Sequence, residues 1–126
     1  MIQIGTYIKV IDNSGARLVL CIRFLNGFKQ RRANVGDVIV VVVKTLRLKR
    51  RAYIKVTKGA VLYALITQSK RGLKMFNGDQ VKFLQCSVII LNKTKKLVGT
   101  RIFGILPKKF RYTRFMRVLA LSSGCC

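Results

Sequence analysis

Six consecutive residues, Val38-Ile39-Val40-Val41-Val42-Val43, constrain the fold of this chain more than any other feature. All six are β-branched and none is polar. A half-wetted strand of an open antiparallel sheet would alternate polar with apolar side chains, so this run reads as a strand buried on both sides or enclosed in a barrel. Runs of similar length flank it. Tyr7-Ile8-Lys9-Val10-Ile11 ends at the turn Asp12-Asn13-Ser14-Gly15. Residues 17–25 alternate, with Leu18, Leu20, Ile22 and Phe24 on one face and Val19, Cys21 and Arg23 on the other. Residues 61–67 and Ser87-Val88-Ile89-Ile90-Leu91 supply two more strands. Between them, Asn77-Gly78 separates Leu73-Lys74-Met75-Phe76 from Val81-Lys82-Phe83-Leu84. That predicts a hairpin closed by a type I′ turn, with φ > 0 at both central residues. Short strands at regular spacing predict a small barrel, whose closure removes exposed edges. Beyond Pro107, residues 108–116 are expected to form a short helical turn packed by Phe110 and Phe115, and Val118 to Leu121 a strand or extended segment. Nothing resembles a linker, so residues 1–126 are expected to form one domain, with the barrel over roughly 1–98 and a C-terminal extension over roughly 99–126.

The charge points to the partner. Lys and Arg number 26, Asp and Glu 3, and His is absent, giving +23 over 126 residues. Self-repulsion on this scale opposes a compact state unless a polyanion neutralises it, and nucleic acid is the first candidate. Half the chain is hydrophobic (51%), which argues for a packed core rather than a disordered basic tail. The cations fall in the connections. Arg17 and then Lys29, Arg31 and Arg32 are candidate phosphate contacts early in the chain. Lys44, Arg47, Lys49, Arg50, Arg51, Lys55 and Lys58 lie between the Val run and the next strand. Lys70, Arg71 and Lys74 lie at the hairpin, and Lys108, Lys109 and Arg111 in the C-terminal part. Further basic residues follow the last barrel strand, at Lys93, Lys95 and Lys96, and continue through Arg114 and Arg117. Tyr53 and Tyr112, each among basic neighbours, are candidates for stacking on unpaired bases.

Other chemistries find little here. General acid–base catalysis draws on His or paired carboxylates. The three acids, Asp12, Asp37 and Asp79, each sit beside a Gly or Asn turn, where short acidic side chains cap their own backbone. The cysteines, Cys21, Cys86, Cys125 and Cys126, form no C-x-x-C pair, so neither a metal site nor a cofactor is expected. Cys21 and Cys86 read as small buried residues, and Cys125 and Cys126 as a tail without a role. The apolar runs are far shorter than the ~20 residues of a membrane-spanning helix. No leader is apparent, which predicts use where the protein is made. No small-molecule substrate and no membrane partner are expected.

Several segments together carry a resemblance. Met1-Ile2-Gln3, Asp12-Asn13-Ser14-Gly15-Ala16-Arg17, Cys21-Ile22, Val35-Gly36-Asp37-Val38-Ile39, Gly99-Thr100-Arg101-Ile102-Phe103-Gly104 and Phe115-Met116-Arg117 occur in the order seen in the universal large-subunit ribosomal protein L-fourteen family, which the chain resembles over almost its full length. The resemblance implies an all-β-dominated fold: a small five-stranded β-barrel with a projecting β-ribbon and a short C-terminal helical region. It implies a structural, non-enzymatic part of the large ribosomal subunit. The implied partners are large-subunit rRNA, small-subunit rRNA across the subunit interface, and neighbouring large-subunit proteins of the third and nineteenth families. Thr100, Arg101, Phe103 and Arg117 match the face turned to the small subunit and to a ribosome-silencing factor. Three stretches depart from the family pattern, at Thr57-Lys58-Gly59-Ala60-Val61, Phe83-Leu84-Gln85-Cys86-Ser87 and Lys108-Lys109-Phe110-Arg111-Tyr112-Thr113. Each has lost acid. This drift suggests a mitochondrial matrix ribosome, with plastid and bacterial cytoplasm as alternatives. The competing functional reading is a free single-strand RNA-binding β-barrel acting as an RNA chaperone.

Overall fold

A computed structural model describes residues 1–48 and 54–126. In chain order its elements are β1 (Tyr7–Val10), β2 (Ala16–Phe24), β3 (Val38–Leu46), β4 (Val61–Gln68), β5 (Leu73–Lys74), β6 (Gln80–Val81), β7 (Ser87–Leu91), β8 (Ile105–Leu106), a 3₁₀ turn (Lys108–Tyr112), α1 (Arg117–Ala120) and β9 (Gly124–Cys125).

Strands β1-β2-β3-β4-β7 close into a five-stranded barrel. All neighbours are antiparallel except the closing pair, where β1 meets β7 in parallel, Lys9 opposite Ser87 and Val10 opposite Val88. Closure explains the two unalternating runs. Along β3, Val38, Ile39, Val41 and Val43 are buried, and Val40 and Val42 are only half covered. Every residue of β7 is buried. The hydroxyl of Thr67 donates to the Ser87 carbonyl (3.0 Å), so this polar start of β7 is tied into the interior.

On β2 it is Val19 and Cys21 that turn inward, while Leu18 and Leu20 are half covered and Ile22 is exposed. Register shifts between Leu18 and Val19 and between Cys21 and Arg23 interrupt strict alternation, and after the second one Phe24 returns to the core. An extra residue in one strand flips the faces beyond it, which period-two counting does not anticipate.

The hairpin at Asn77-Gly78 forms as a two-stranded ribbon outside the barrel, but its turn is not type I′. The Met75 amide donates to the Asp79 carbonyl (2.8 Å) and the Gly78 amide to the Met75 carbonyl (3.1 Å). Only Gly78 has positive φ (86°); Asn77 does not. This is a three-residue loop, a tight turn followed by one left-handed residue, the next commonest hairpin solution. The loop 92–96 repeats the pattern with Lys95 (φ 60°) in the left-handed position.

In the C-terminal part the expected helical turn is the 3₁₀ segment, with Phe110 buried and Phe115 half buried. The stretch expected to be a strand is instead the helical turn α1: the Leu119 and Leu121 amides bond back to Met116 and Arg117, Val118 is buried in the core, and Leu119 and Leu121 pack against it half buried. The strand lies further on: β9 pairs in parallel with β8, and the Cys126 amide and carbonyl bond Leu106 (2.8 Å) and Lys108 (2.7 Å). Cys125 and Cys126 are thus structural through their backbone, with exposed side chains.

Candidate nucleic-acid interface

The turn after β1 is the anchor of the basic surface. Asp12 is fully buried. One carboxylate oxygen accepts from the Ser14 amide (3.0 Å) and hydroxyl, the other from the Ile90 amide (2.8 Å), so a single side chain ties the turn to β7. Burial pushes its carboxyl above the ordinary range, against these hydrogen bonds and the attraction of Arg47. Asn13 next to it reaches the other way. Its Oδ1 accepts the Thr100 amide (2.7 Å) and the Arg101 amide (3.2 Å), and its Nδ2 donates to Thr100 Oγ1 (2.8 Å). Gly99 lies so close that an added Cβ would meet Asp12 Cβ at 2.9 Å and Asn13 Oδ1 at 3.0 Å. The segment 99–104 is therefore pinned to the first turn by side chains and by main chain, with the Phe103 amide on the Ile11 carbonyl (2.8 Å).

Around this frame the cations gather in three clefts. Arg71, Lys74 and Lys109 meet in a polar cleft of about 300 Å³ beside the two-stranded ribbon. Lys9, Arg17 and Arg47 meet Phe103 in a second, of about 490 Å³. Lys95, Lys96, Arg114 and Arg117 meet Thr100 in the third, of about 660 Å³, floored by Leu97, Phe115, Val118 and Leu121. None of the three is lined by an acid. Asp12 faces inward as described, and Asp37 is held by the Asn34 amide (2.8 Å) and Asn26 Nδ2 (2.7 Å).

A family model described as "Ribosomal protein L14p/L23e" matches residues 1–126. The chain belongs to the L14p/L23e family of ribosomal proteins. It is similar to the large ribosomal subunit protein uL14 of Carsonella ruddii (strain PV), with 43% identity over 123 residues that span 98% of both chains. Proteins of this family are structural constituents of the large ribosomal subunit.

In this family member the two most telling sequence blocks, Asp12–Arg17 and Gly99–Gly104, are one structural unit, since the Asp12-Asn13 side chains hold the second block. Nothing local to Asn13 signals a role beyond its turn, because its contact partners Thr100 and Arg101 lie 87 and 88 residues away. Of the residues matched to the subunit-facing side, Thr100 and Arg117 share the third cleft, while Arg101 is exposed beside it and Phe103 opens into the second. Lys9, Lys95, Lys96 and Arg114 join the clefts although none was singled out from sequence; all but Lys9 lay in basic clusters.

Most candidate phosphate contacts stand free at the surface: Lys29, Arg31, Arg32, Lys44, Lys58, Lys70 and Lys108 are exposed, as is Arg111 beside Tyr112, which is 83% exposed. Lys55 is exposed with its ammonium on the Val98 carbonyl (3.2 Å). Arg47 is committed within the protein: its guanidinium donates to the Val10 carbonyl (3.2 Å) and lies 5.6 Å from the Phe103 ring centre. Lys49, Arg50, Arg51 and Tyr53 lie outside the described residues. Among the described residues no helix is long and apolar enough to cross a membrane, and no group of three His, Cys, Asp or Glu could hold a metal. Cys21 is buried, and burial pushes its thiol up to about 11, which leaves it unreactive.

Proposed function

We propose that the chain binds large-subunit rRNA through its basic clefts and exposed loop cations, as one domain in which the barrel (1–98) carries the extension (99–126). The observation behind this reading is the segregation of charge: cations converge from separate loops into clefts, while Asp12 and Asp37 spend their carboxylates on the protein's own amides. Such a surface neutralises phosphates and fixes position without reading sequence; specificity comes from rRNA shape and neighbouring proteins. The ledge of Thr100, Arg101 and Arg117 faces the small subunit and its rRNA, and is the place where a silencing factor would dock. Proteins of the third and nineteenth families are the proposed neighbours. The place of work is the ribosome. The lost acids are the ground for a mitochondrial one; the bacterial relative speaks equally for a bacterial cytoplasm.

Co-sedimentation tests the proposal. The protein should travel with large subunits at moderate salt, and cross-links to large-subunit rRNA should map to Arg71, Lys74 and Lys109. A protein found mainly outside subunits, binding homopolymers equally well, would instead be the free RNA-chaperone barrel.

A further inference from the structure

The second cleft holds an arrangement that phosphate neutralisation does not require. Phe103 follows the buried Ile102 on an extended segment, so its ring turns outward; it is 44% exposed although large and apolar. Its backbone is fixed on the Ile11 carbonyl (2.8 Å). The Arg47 guanidinium lies over the ring, 5.6 Å from its centre, and donates to the Val10 carbonyl (3.2 Å), while the Arg47 backbone amide donates to the Gly15 carbonyl (2.9 Å). Two flat groups are therefore held in place before any ligand arrives, so little side-chain freedom is left to lose on binding. At the rim, Lys9 and Arg17 are exposed cations, and Gln85, bonded through Oε1 to Lys9 Nζ (3.1 Å), offers an amide. The volume, about 490 Å³, lies in the range of small-ligand sites.

We infer that this cleft receives one unpaired nucleobase, stacked on the Phe103–Arg47 platform, with its flanking phosphates on Lys9 and Arg17. An aromatic face beside a guanidinium is the surface on which single bases stack, and every base has a π-face to offer, so the site selects an unpaired nucleotide rather than a sequence. The inference rests on the proposed rRNA binding. It adds a base contact at a place where only a protein-facing or phosphate-facing surface would otherwise be read.

Base-directed chemical probing of rRNA in assembled ribosomes tests it, with particles carrying the wild-type chain, Phe103→Ala or Phe103→Tyr. With the wild type, one unpaired nucleotide at the footprint should be shielded. In Phe103→Ala its reactivity should rise on the order of tenfold, the loss expected for one stacked base, while the remaining footprint stays. In Phe103→Tyr it should stay shielded, which separates stacking from a folding defect. Shielding already present in isolated large subunits assigns the base to large-subunit rRNA; shielding that arises only on subunit joining assigns it to the small subunit. An intact footprint with no nucleotide responding to Phe103→Ala overturns the inference alone. Absence of any footprint from the wild-type chain overturns the rRNA reading as well.

Discussion

Replacing Asn13 with Ala should loosen the 99–104 segment and leave the barrel intact. Three hydrogen bonds are removed, two from the Thr100 and Arg101 amides and one to Thr100 Oγ1. A net value of about 0.5–1.5 kcal/mol each would give roughly 1.5–4.5 kcal/mol. Asn13 is only half buried, so water can serve the freed groups and the loss belongs near the lower end, about 2 kcal/mol. Two main-chain bonds stay in place, Asn13 amide to Arg101 carbonyl and Phe103 amide to Ile11 carbonyl, so the segment remains docked. The effect should be local opening, read by native-state hydrogen exchange in high salt, where self-repulsion is screened. Protection of the Thr100 and Arg101 amides should fall about 30-fold, the equivalent of 2 kcal/mol, with Ile89 and Ile90 unchanged. Asn13→Asp keeps the accepting oxygen and should retain most of that protection. Unchanged exchange at Thr100 and Arg101, or an equal fall across the barrel, would refute the reasoning.

Four further outcomes follow from the same geometry. Gly99→Ala should lower stability by about 1–3 kcal/mol in a denaturation midpoint, because its Cβ lands on Asp12 and Asn13, which cannot move without breaking their bonds. Lys95→Gly should raise stability by about 1 kcal/mol by relieving a left-handed lysine, and an unchanged midpoint would contradict this. Burial raises the Asp12 pKa in the folded chain, so its contribution to stability is full below the ordinary value of 3.8 and lost as pH rises through the folded value. The advantage of the wild type over Asp12→Asn should therefore shrink between pH 3 and pH 7; an advantage that grows would mean that the hydrogen bonds outweigh desolvation. Removing Arg71, Lys74 or Lys109 singly should flatten the log K against log[salt] slope for rRNA by about 0.7–0.9 each, without changing sequence preference.

The barrel was legible because its signals are local. The unpolar run at Val38–Val43 and the four apolar residues that follow Ser87 in β7 announce enclosure on both faces, and turn residues mark their ends. What escaped was long-range or depended on a single inserted residue. The bulges that turn Val19 and Cys21 inward leave no mark in the alternation of β2. Asn77-Gly78 signalled a hairpin correctly but not its turn, because Gly78 alone meets the need for positive φ. At Lys95 the same turn forms with no glycine to signal it. Among the binding residues, the basic clusters were plain in the sequence, but their grouping into clefts depends on the fold: Lys109 meets Arg71 and Lys74 only because the C-terminal part returns to the ribbon. Arg47 shows the limit of counting charge, since its guanidinium is already engaged by Val10 and Phe103.

The parallel seam between β1 and β7 also sets a schedule for the newborn chain. Strand β1 is made first, yet its second neighbour is among the last barrel residues, and the Asp12–Ile90 bond that locks the seam spans 78 positions. At about 5–20 residues per second, the ribosome making this protein needs on the order of 4–16 s to supply that partner. A β2–β3–β4 meander can form meanwhile from contacts near in sequence. Through the interval Ile8 and Val10 have one pairing edge open, and the cylinder cannot shut however fast its strands would otherwise pair. The time to a closed barrel is thus governed by translation rather than by the barrel's own folding rate.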